Sequence, residues 1–461
     1  MNYRYLLIGG LLILSFSCNM KKEQSSVGTD EVRLITVDPG HFHAALVQKT
    51  SYPDVSKDVY VYSPGGADLI EHLNRIEGYN TRADNPAGWN EIVYTGSDFF
   101  DKMLIEKKGN VMVTAGNNGK KTEYIKQTLS GGINVLADKP MAINIFDFEK
   151  LKECFSIAKQ NNLLLYDIMT ERFEITTMLQ KEFSMIAEVY GEQQRGTIDD
   201  PGIVKESVHH FFKTVSGKPL IRPSWFFDVS QQGEGIVDVT THLVDLVQWE
   251  CFPERIINYQ TDIELLDANR WTTKMSPEQF KEVTGLDLYP DFLLKDIKNN
   301  DLHVYANGNI FYKILDVHAK VSVIWNYTYP EGGGDTHYSI MRGSKSHLII
   351  EQGAEQNYKP ALTIKCIEKD IAAFEKNLQA SLMIITQKYP GIGIKEKGTG
   401  EWEVVVPAEY HNGHEAHFGQ VTENYLKYLK QGALPEWEVP NMIAKYYVTT
   451  HALELAKSKM K

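Results

Sequence analysis

Residues 33–44, RLITVDPGHFHA, hold an apolar run that stops at an acid and a Pro-Gly turn and then resumes with helical spacing, the order of a strand followed by a helix. The same order recurs along the next stretch of chain. Short apolar runs stand at 58–63 (DVYVYS), 91–95 (EIVYT), 110–116 (NVMVTAG), 133–138 (INVLAD) and 163–168 (LLLYDI), with helical stretches such as 120–130 and 145–160 between them. Runs apolar on both faces and separated by helices predict a parallel sheet covered on two sides. This is a doubly wound α/β domain over residues 32–168, and in such sheets ligands bind where strands end and helices begin.

Past Thr170 the texture changes to longer alternating segments: IVKESVHHFFKT, ERIINYQTDIELL, NIFYKILDV, KVSVIWNYTY, HYSIMRG and HLIIEQ. Alternation predicts strands with one exposed face, so residues 169–461 are expected to form an α+β domain with a largely antiparallel sheet that binds substrate and supports oligomers. Trp271 to Asn300 reads as an insertion, and 415–431 and 441–458 read as closing helices.

The 461 residues are 43% hydrophobic and 23% charged, the composition of a globular protein of several domains. Lys plus Arg number 48 against 60 Asp plus Glu, a net charge of -12, which offers nucleic-acid phosphates no footprint. A small-molecule ligand is expected instead. At the N-terminus, MNYRYLLIGGLLILSFSC places one cation, an apolar run too short to span a bilayer, and then Cys18. With the polar segment 19–31 behind it, this resembles a bacterial lipoprotein signal (1–18) and tether. Cys18 is then the lipidated residue, and the chain is exported and held to a membrane only by its anchor, on the periplasmic side. Ser15 departs from the Leu usual there. Cys154, Cys251 and Cys366 remain, too few and too scattered for a disulfide framework.

The turn Asp38-Pro39-Gly40-His41-Phe42-His43 stands where a dinucleotide fold carries G-x-G-x-x-G, and keeps only Gly40, the position where backbone approaches a pyrophosphate most closely. Ser63 ends the second strand, where an acid would hold ribose hydroxyls. Asp138-Lys139-Pro140 puts an ammonium at the carboxyl edge of the sheet. About 95 residues later, GEGIVDVTTHLVD (233–245) leads from glycines into a helix with Asp238, His242 and Asp245 at i, i+4 and i+7, a spacing that shares one face.

D-K-P followed by G-x-G-x-x-D-x-x-x-H-x-x-D resembles the Gfo/Idh/MocA oxidoreductases. The resemblance maps the family lysine to Lys139, its helical aspartate and histidine to Asp238 and His242, and its Arg-aromatic pair to Arg172-Phe173. It implies a Rossmann domain, an open-sheet C-terminal domain, a tightly held NAD or NADP, carbohydrate or polyol substrates, and homo-oligomers. The expected cofactor contacts are Gly40, His41, Phe42, Ser63, Asn117, Asn118, Asp138 and Lys139. The expected substrate contacts are Arg172, Trp225, Asp238 and His242. Asp138 in place of Glu, Lys121 in place of His and the two missing glycines are departures that bear on cofactor affinity.

Oxidising a secondary alcohol needs a base for the hydroxyl proton, a role suited to His242, and a cation beside the oxygen, a role suited to Lys139, with Asp238 orienting substrate or imidazole. These three are the expected catalytic residues. His411, His414 and His417 lack the H-E-x-x-H spacing of a zinc protease and read as a helix start, while His209-His210 on a strand would face opposite ways, so no metal is expected. Outside the cytoplasm free nicotinamide nucleotide is scarce, so the cofactor is expected to travel bound. The reading is an oxidoreductase acting on a sugar, polyol or glycoside hydroxyl; a nucleotide-assisted glycoside hydrolase and a non-catalytic carbohydrate-binding relative are the alternatives.

Overall fold

Six strands in the first third of the chain build one parallel sheet: β1 (Leu34–Val37), β2 (Asp58–Ser63), β3 (Asn90–Thr95), β4 (Val111–Thr114), β5 (Asn134–Asp138) and β6 (Leu165–Ile168). Their order is β3-β2-β1-β4-β5-β6, every pair parallel. This is the doubly wound dinucleotide order, with its switch point between β1 and β4. β1, β4 and β6 are buried along their whole length, whereas the edge strand β3 leaves Ile92 and Val93 exposed. The crossovers carry α1 (His43–Leu46), α2 (Ala67–Thr81), α3 (Phe99–Glu106), α4 (Asn118–Ser130) and α5 (Ile145–Gln160). The first is a single helical turn. The computed structural model describes residues 31–215 and 218–459; Cys18, the signal 1–18 and the tether up to residue 30 lie outside the described residues. Among the described residues no helix is long and apolar enough to cross a membrane.

The second sheet is mixed. It comprises β7 (Ile203–His210), β10 (Ile263–Met275), β11 (Ile297–Lys298), β12 (Asp301–Ile314), β13 (Val317–Asn326), β14 (Thr336–Arg342), β15 (Ser346–Gln352), β16 (Ala361–Cys366), β17 (Gly393–Gly398) and β18 (Glu401–Val405). A two-strand ribbon, β8 (Thr214–Val215) with β9 (Lys218–Pro219), stands apart. The path runs β10-β12-β13-β7-β14-β15-β16-β18-β17, with only β13 and β7 parallel. Alternating burial along β12 shows one face turned to a core. Two expectations need correction. Residues 254–262 precede the strand instead of forming it, and the insertion begins after Met275, because Trp271 continues β10 and pairs with Asn307. It carries α8 (Pro277–Thr284), which starts on a Ser276 capping box.

The helices α6 (Ile175–Ser184), α7 (Thr240–Cys251), α9 (Ile371–Lys388), α10 (His414–Gln431) and α11 (Glu438–Ser458) cover the second sheet or return to the first. On α11, Met442 and Tyr446 enter the core of the parallel sheet, while Ala444, Val448, Ala452 and Leu453 enter that of the mixed sheet. A helix apolar on several faces is buried on several faces. The described residues from Val32 onward form one compact unit.

A charged network locks this junction. Asp245 on α7 accepts from Arg172 Nε at 2.6 Å and Nη2 at 2.7 Å, and from Lys445 Nζ on α11 at 2.8 Å. Lys445 also pairs with Asp167 on β6 at 2.7 Å, and Arg172 Nη1 reaches Glu438 Oε1 at 2.8 Å. All five groups are buried. Burial opposes the charge on Asp245, but the Arg172 and Lys445 cations outweigh it and hold the carboxyl well below the usual range, whereas burial pushes Glu438 up.

Removing one partner of such a network leaves uncompensated buried charge, so Lys445→Met is expected to cost about 3–5 kcal/mol in urea unfolding at pH 7. A loss below about 1 kcal/mol would show the network to be dispensable. Because the folded Asp245 carboxyl is depressed, its stabilisation is full above about pH 4 and is lost as pH falls further. Thermal melts across that range should therefore fall more steeply for the native chain than for Asp245→Asn, and parallel curves would contradict this assignment.

Candidate active site

The carboxyl edge of β1, β4 and β5 faces the mixed sheet across a cavity of about 490 Å³. Lys139, one residue past β5, extends into it and pairs with Asp238 Oδ1 at 2.7 Å; Gln232 Nε2 donates to the other oxygen, Oδ2, at 3.0 Å. Asp238 lies in the turn before α7, and His242 lies in the first turn of the helix; both line the cavity. Asp245 turns away into the ion network, so the face predicted for all three is divided. The turn is seated by Gly235, where a Cβ would stand 1.8 Å from the Ala306 carbonyl oxygen.

Several imidazoles share the cavity and are kept neutral. Burial first, and then the Lys139 ammonium, push His242 well below its ordinary value, and its Nδ1 is buried with no partner. Burial likewise lowers His41 and His43, and lowers His414 to about 4. His43 Nδ1 meets Asp138 Oδ2 at 3.0 Å, and the ligand atoms of His41, His43 and Asp138 lie within 4.8 Å of one another, a spacing a metal ion would accept. Beneath them Lys121 donates to Asn118 Oδ1, Asp138 O and Pro140 O, and burial lowers its ammonium to about 8. Lys121 therefore braces the D-K-P segment.

The nucleotide turn is rebuilt. The backbone N–H groups of Gly40 and His41 both donate to Ala115 O at 3.1 Å. Trp225 packs on Gly40, and its Nε1 donates to Asp68 Oδ2 at 2.9 Å in the first turn of α2. Trp225 thus sits at the turn, not among the cavity-lining residues where a sugar was expected to meet it. His41 and Phe42 stack at 4.6 Å and line the cavity. Ser63 is buried and accepts from Gly65 N–H. Asn118 lines the cavity, while Asn117 is tied to Gln231.

Arg172 is also misplaced by the sequence reading: it belongs to the buried network, and Glu171 beside it is the residue that lines the cavity. Burial raises the Glu171 carboxyl. On the mixed-sheet wall, Asp335 accepts from His209 Nδ1 at 3.3 Å, His210 Nδ1 at 3.0 Å and Lys213. Both consecutive histidines, paired with β13 at the end of β7, reach Asp335, and only His209 lines the cavity. Sequence reading missed Glu171, Asp335 and Arg222; none lies in a spaced motif, and each becomes visible only when the two sheets meet.

The residues present fit a nicotinamide nucleotide at both ends of the cleft. Gly65 and Gly66, past β2, have positive φ and open space where a Cβ would point, and Asp68 supplies an acid near the turn in place of Ser63. Asn118, Asp138 and Lys139 border the cavity, where they would hold a nicotinamide. The departure is the pyrophosphate turn, whose two amides are already given to Ala115.

Residues 179–457 match the family model described as "Putative oxidoreductase C terminal domain". No curated protein is a match. Among solved structures, a "putative oxidoreductase" from Parabacteroides merdae is 67% identical, with a TM-score of 0.92 over 93% of this chain and 98% of that one. Two more distant structures share the fold. One is a levoglucosan dehydrogenase in complex with NADH, 11% identical, TM-score 0.60, covering 93% of this chain and 98% of that one. The other is a 3-ketoreductase from Actinomadura kijaniata in complex with NADP and TDP-benzene, 13% identical, TM-score 0.55, covering 91% and 96%. With the family model spanning more than half of its length, this chain belongs to the oxidoreductase family that carries that C-terminal domain.

Proposed function

We propose that the chain is a Gfo/Idh/MocA-type oxidoreductase that moves a hydride between a tightly held NAD or NADP and a hydroxyl-bearing carbon of a carbohydrate. The observation that carries this is the meeting, in one cavity at the end of β5, of the Lys139–Asp238 pair at 2.7 Å with the neutral imidazole of His242. Two distant neighbours of the same fold are named for a sugar dehydrogenase and a ketoreductase.

When bound, the nucleotide accepts or returns the hydride. The protein's own groups handle the proton and the oxygen. Neutral His242 takes the hydroxyl proton, and Lys139 Nζ donates a hydrogen bond to the same oxygen and stabilises it as negative charge builds. Asp238 holds that ammonium in place, and Gln232 holds Asp238. Glu171, Asn118 and Asp138 border the space left for substrate and nicotinamide. The lipoprotein-like start of the chain supports an exported, anchored enzyme that carries its nucleotide from the cytoplasm and recycles it within each turnover. A homo-oligomer formed through the mixed sheet suits the same reading. The amides spent on Ala115 and the Trp225 indole seated on Gly40 favour a second reading, a binding relative without redox chemistry.

Replacing Lys139 by Ala or His242 by Gln is expected to lower kcat by about 10²–10⁴-fold in either direction of hydride transfer; His242→Gln should leave thermal stability near that of the native chain, whereas Lys139→Ala, which strips buried Asp238 of its ion pair, should lower it. Near-normal turnover in either variant contradicts the assignment. Because Trp225 stands on the nucleotide turn, adding NAD or NADP to nucleotide-free protein should change tryptophan emission, and Trp225→Phe should remove that change. An identical response from the variant would place the nucleotide elsewhere.

A further inference from the structure

Arg222 is a cation of the cavity wall that neither the ion network nor the proposed chemistry uses. It is only 7% exposed and lines the cavity wall. Its Nε donates to Phe211 O at 2.9 Å and its Nη2 to His210 O at 3.2 Å, and the guanidinium lies 4.8 Å from the ring centre of Phe226 and 5.3 Å from that of Trp325. These contacts fix the position of the group but bring it no counter-charge. Among the described residues no carboxylate forms an ion pair with it. The nearby acids are engaged: Asp335 with Lys213 and the two histidines, Asp238 with Lys139. Burial lowers the guanidinium to about 10, against the weaker upward pull of Asp335 and Asp238.

We infer that the substrate is an acidic carbohydrate and that Arg222 binds its carboxylate. This rests on the carbohydrate reading above and narrows it. A buried guanidinium pinned at Nε and Nη2 keeps further N–H donors, and the planar fork suits a carboxylate. One unit of negative charge balances one unpaired cation. A phosphate dianion would bring a second negative charge toward Asp335 and Asp238. Arg222, Lys139 and His242 line one cavity, so a sugar ring that offers its carboxylate to the first can offer a hydroxyl to the other two.

The test is isothermal titration of the protein as purified with methyl glycosides of glucuronate, galacturonate and mannuronate, each beside its neutral hexoside and its methyl ester. The free acid of one configuration is expected to bind about tenfold or more tighter than both neutral forms. Arg222→Gln should level the three affinities, while Arg222→Lys retains part of the preference. The ester comparison uses the native chain alone, so it stands even if Arg222→Gln fails to fold. Free acid, ester and hexoside binding within about twofold of one another would overturn the acidic-substrate inference and leave the carbohydrate reading intact. Binding of none of them would overturn both.

Discussion

One carboxylate, Asp245, ties three elements that sequence keeps far apart: the segment after β6 through Arg172, helix α7 that carries it, and helix α11 through Lys445. Taking so many charges out of water is costly, and the arrangement persists because each ion has a partner at 2.6–2.8 Å. The consequence is positional. Asp245 stands one helical turn after His242, so the network that joins the sheets also sets where the imidazole enters the cavity. Lys139 comes from the other side, at the end of β5, into the same cavity, and α11 packs against both cores.

The cavity follows the same rule of compensation, with one exception. Lys139 has Asp238, Lys213 has Asp335, and the histidines are neutral through burial. Arg222 alone among its cations has aromatic rings and carbonyls but no acid. The nucleotide turn departs from the usual dinucleotide pattern in a related way. Glycine's freedom survives at Gly40, but the surrounding amides close on Ala115 and the bare spot is covered by Trp225, so a nucleotide must displace the indole or rest against it.

The sequence disclosed whatever depends on local pattern. Buried Val/Ile runs between helices gave the parallel sheet nearly to the residue, and α5 falls on the range read for it, Ile145–Gln160. Lys139, Asp238 and His242 were legible because each sits at a fixed offset from a strand end or a glycine turn. What depended on tertiary contact was not legible. Arg172 matched a motif yet faces Asp245, while its neighbour Glu171 faces the cavity. Trp225 read as a sugar platform but packs on Gly40. The second histidine cluster delivers His414 to the cavity through the start of α10, a contact between residues more than 350 positions from the turn it joins. The edges of β10 were misjudged because an alternating pattern continues through Trp271 into a stretch read as an insertion.

The claim on which the rest of the functional account stands is that this rebuilt turn still holds a nicotinamide nucleotide. Native mass spectrometry of the protein purified without added nucleotide tests it directly. The expected result is one NAD or NADP per chain. Protein that carries no nucleotide, and whose melting temperature moves with neither NAD nor NADP, would contradict it and leave Lys139 and His242 as ligand contacts only.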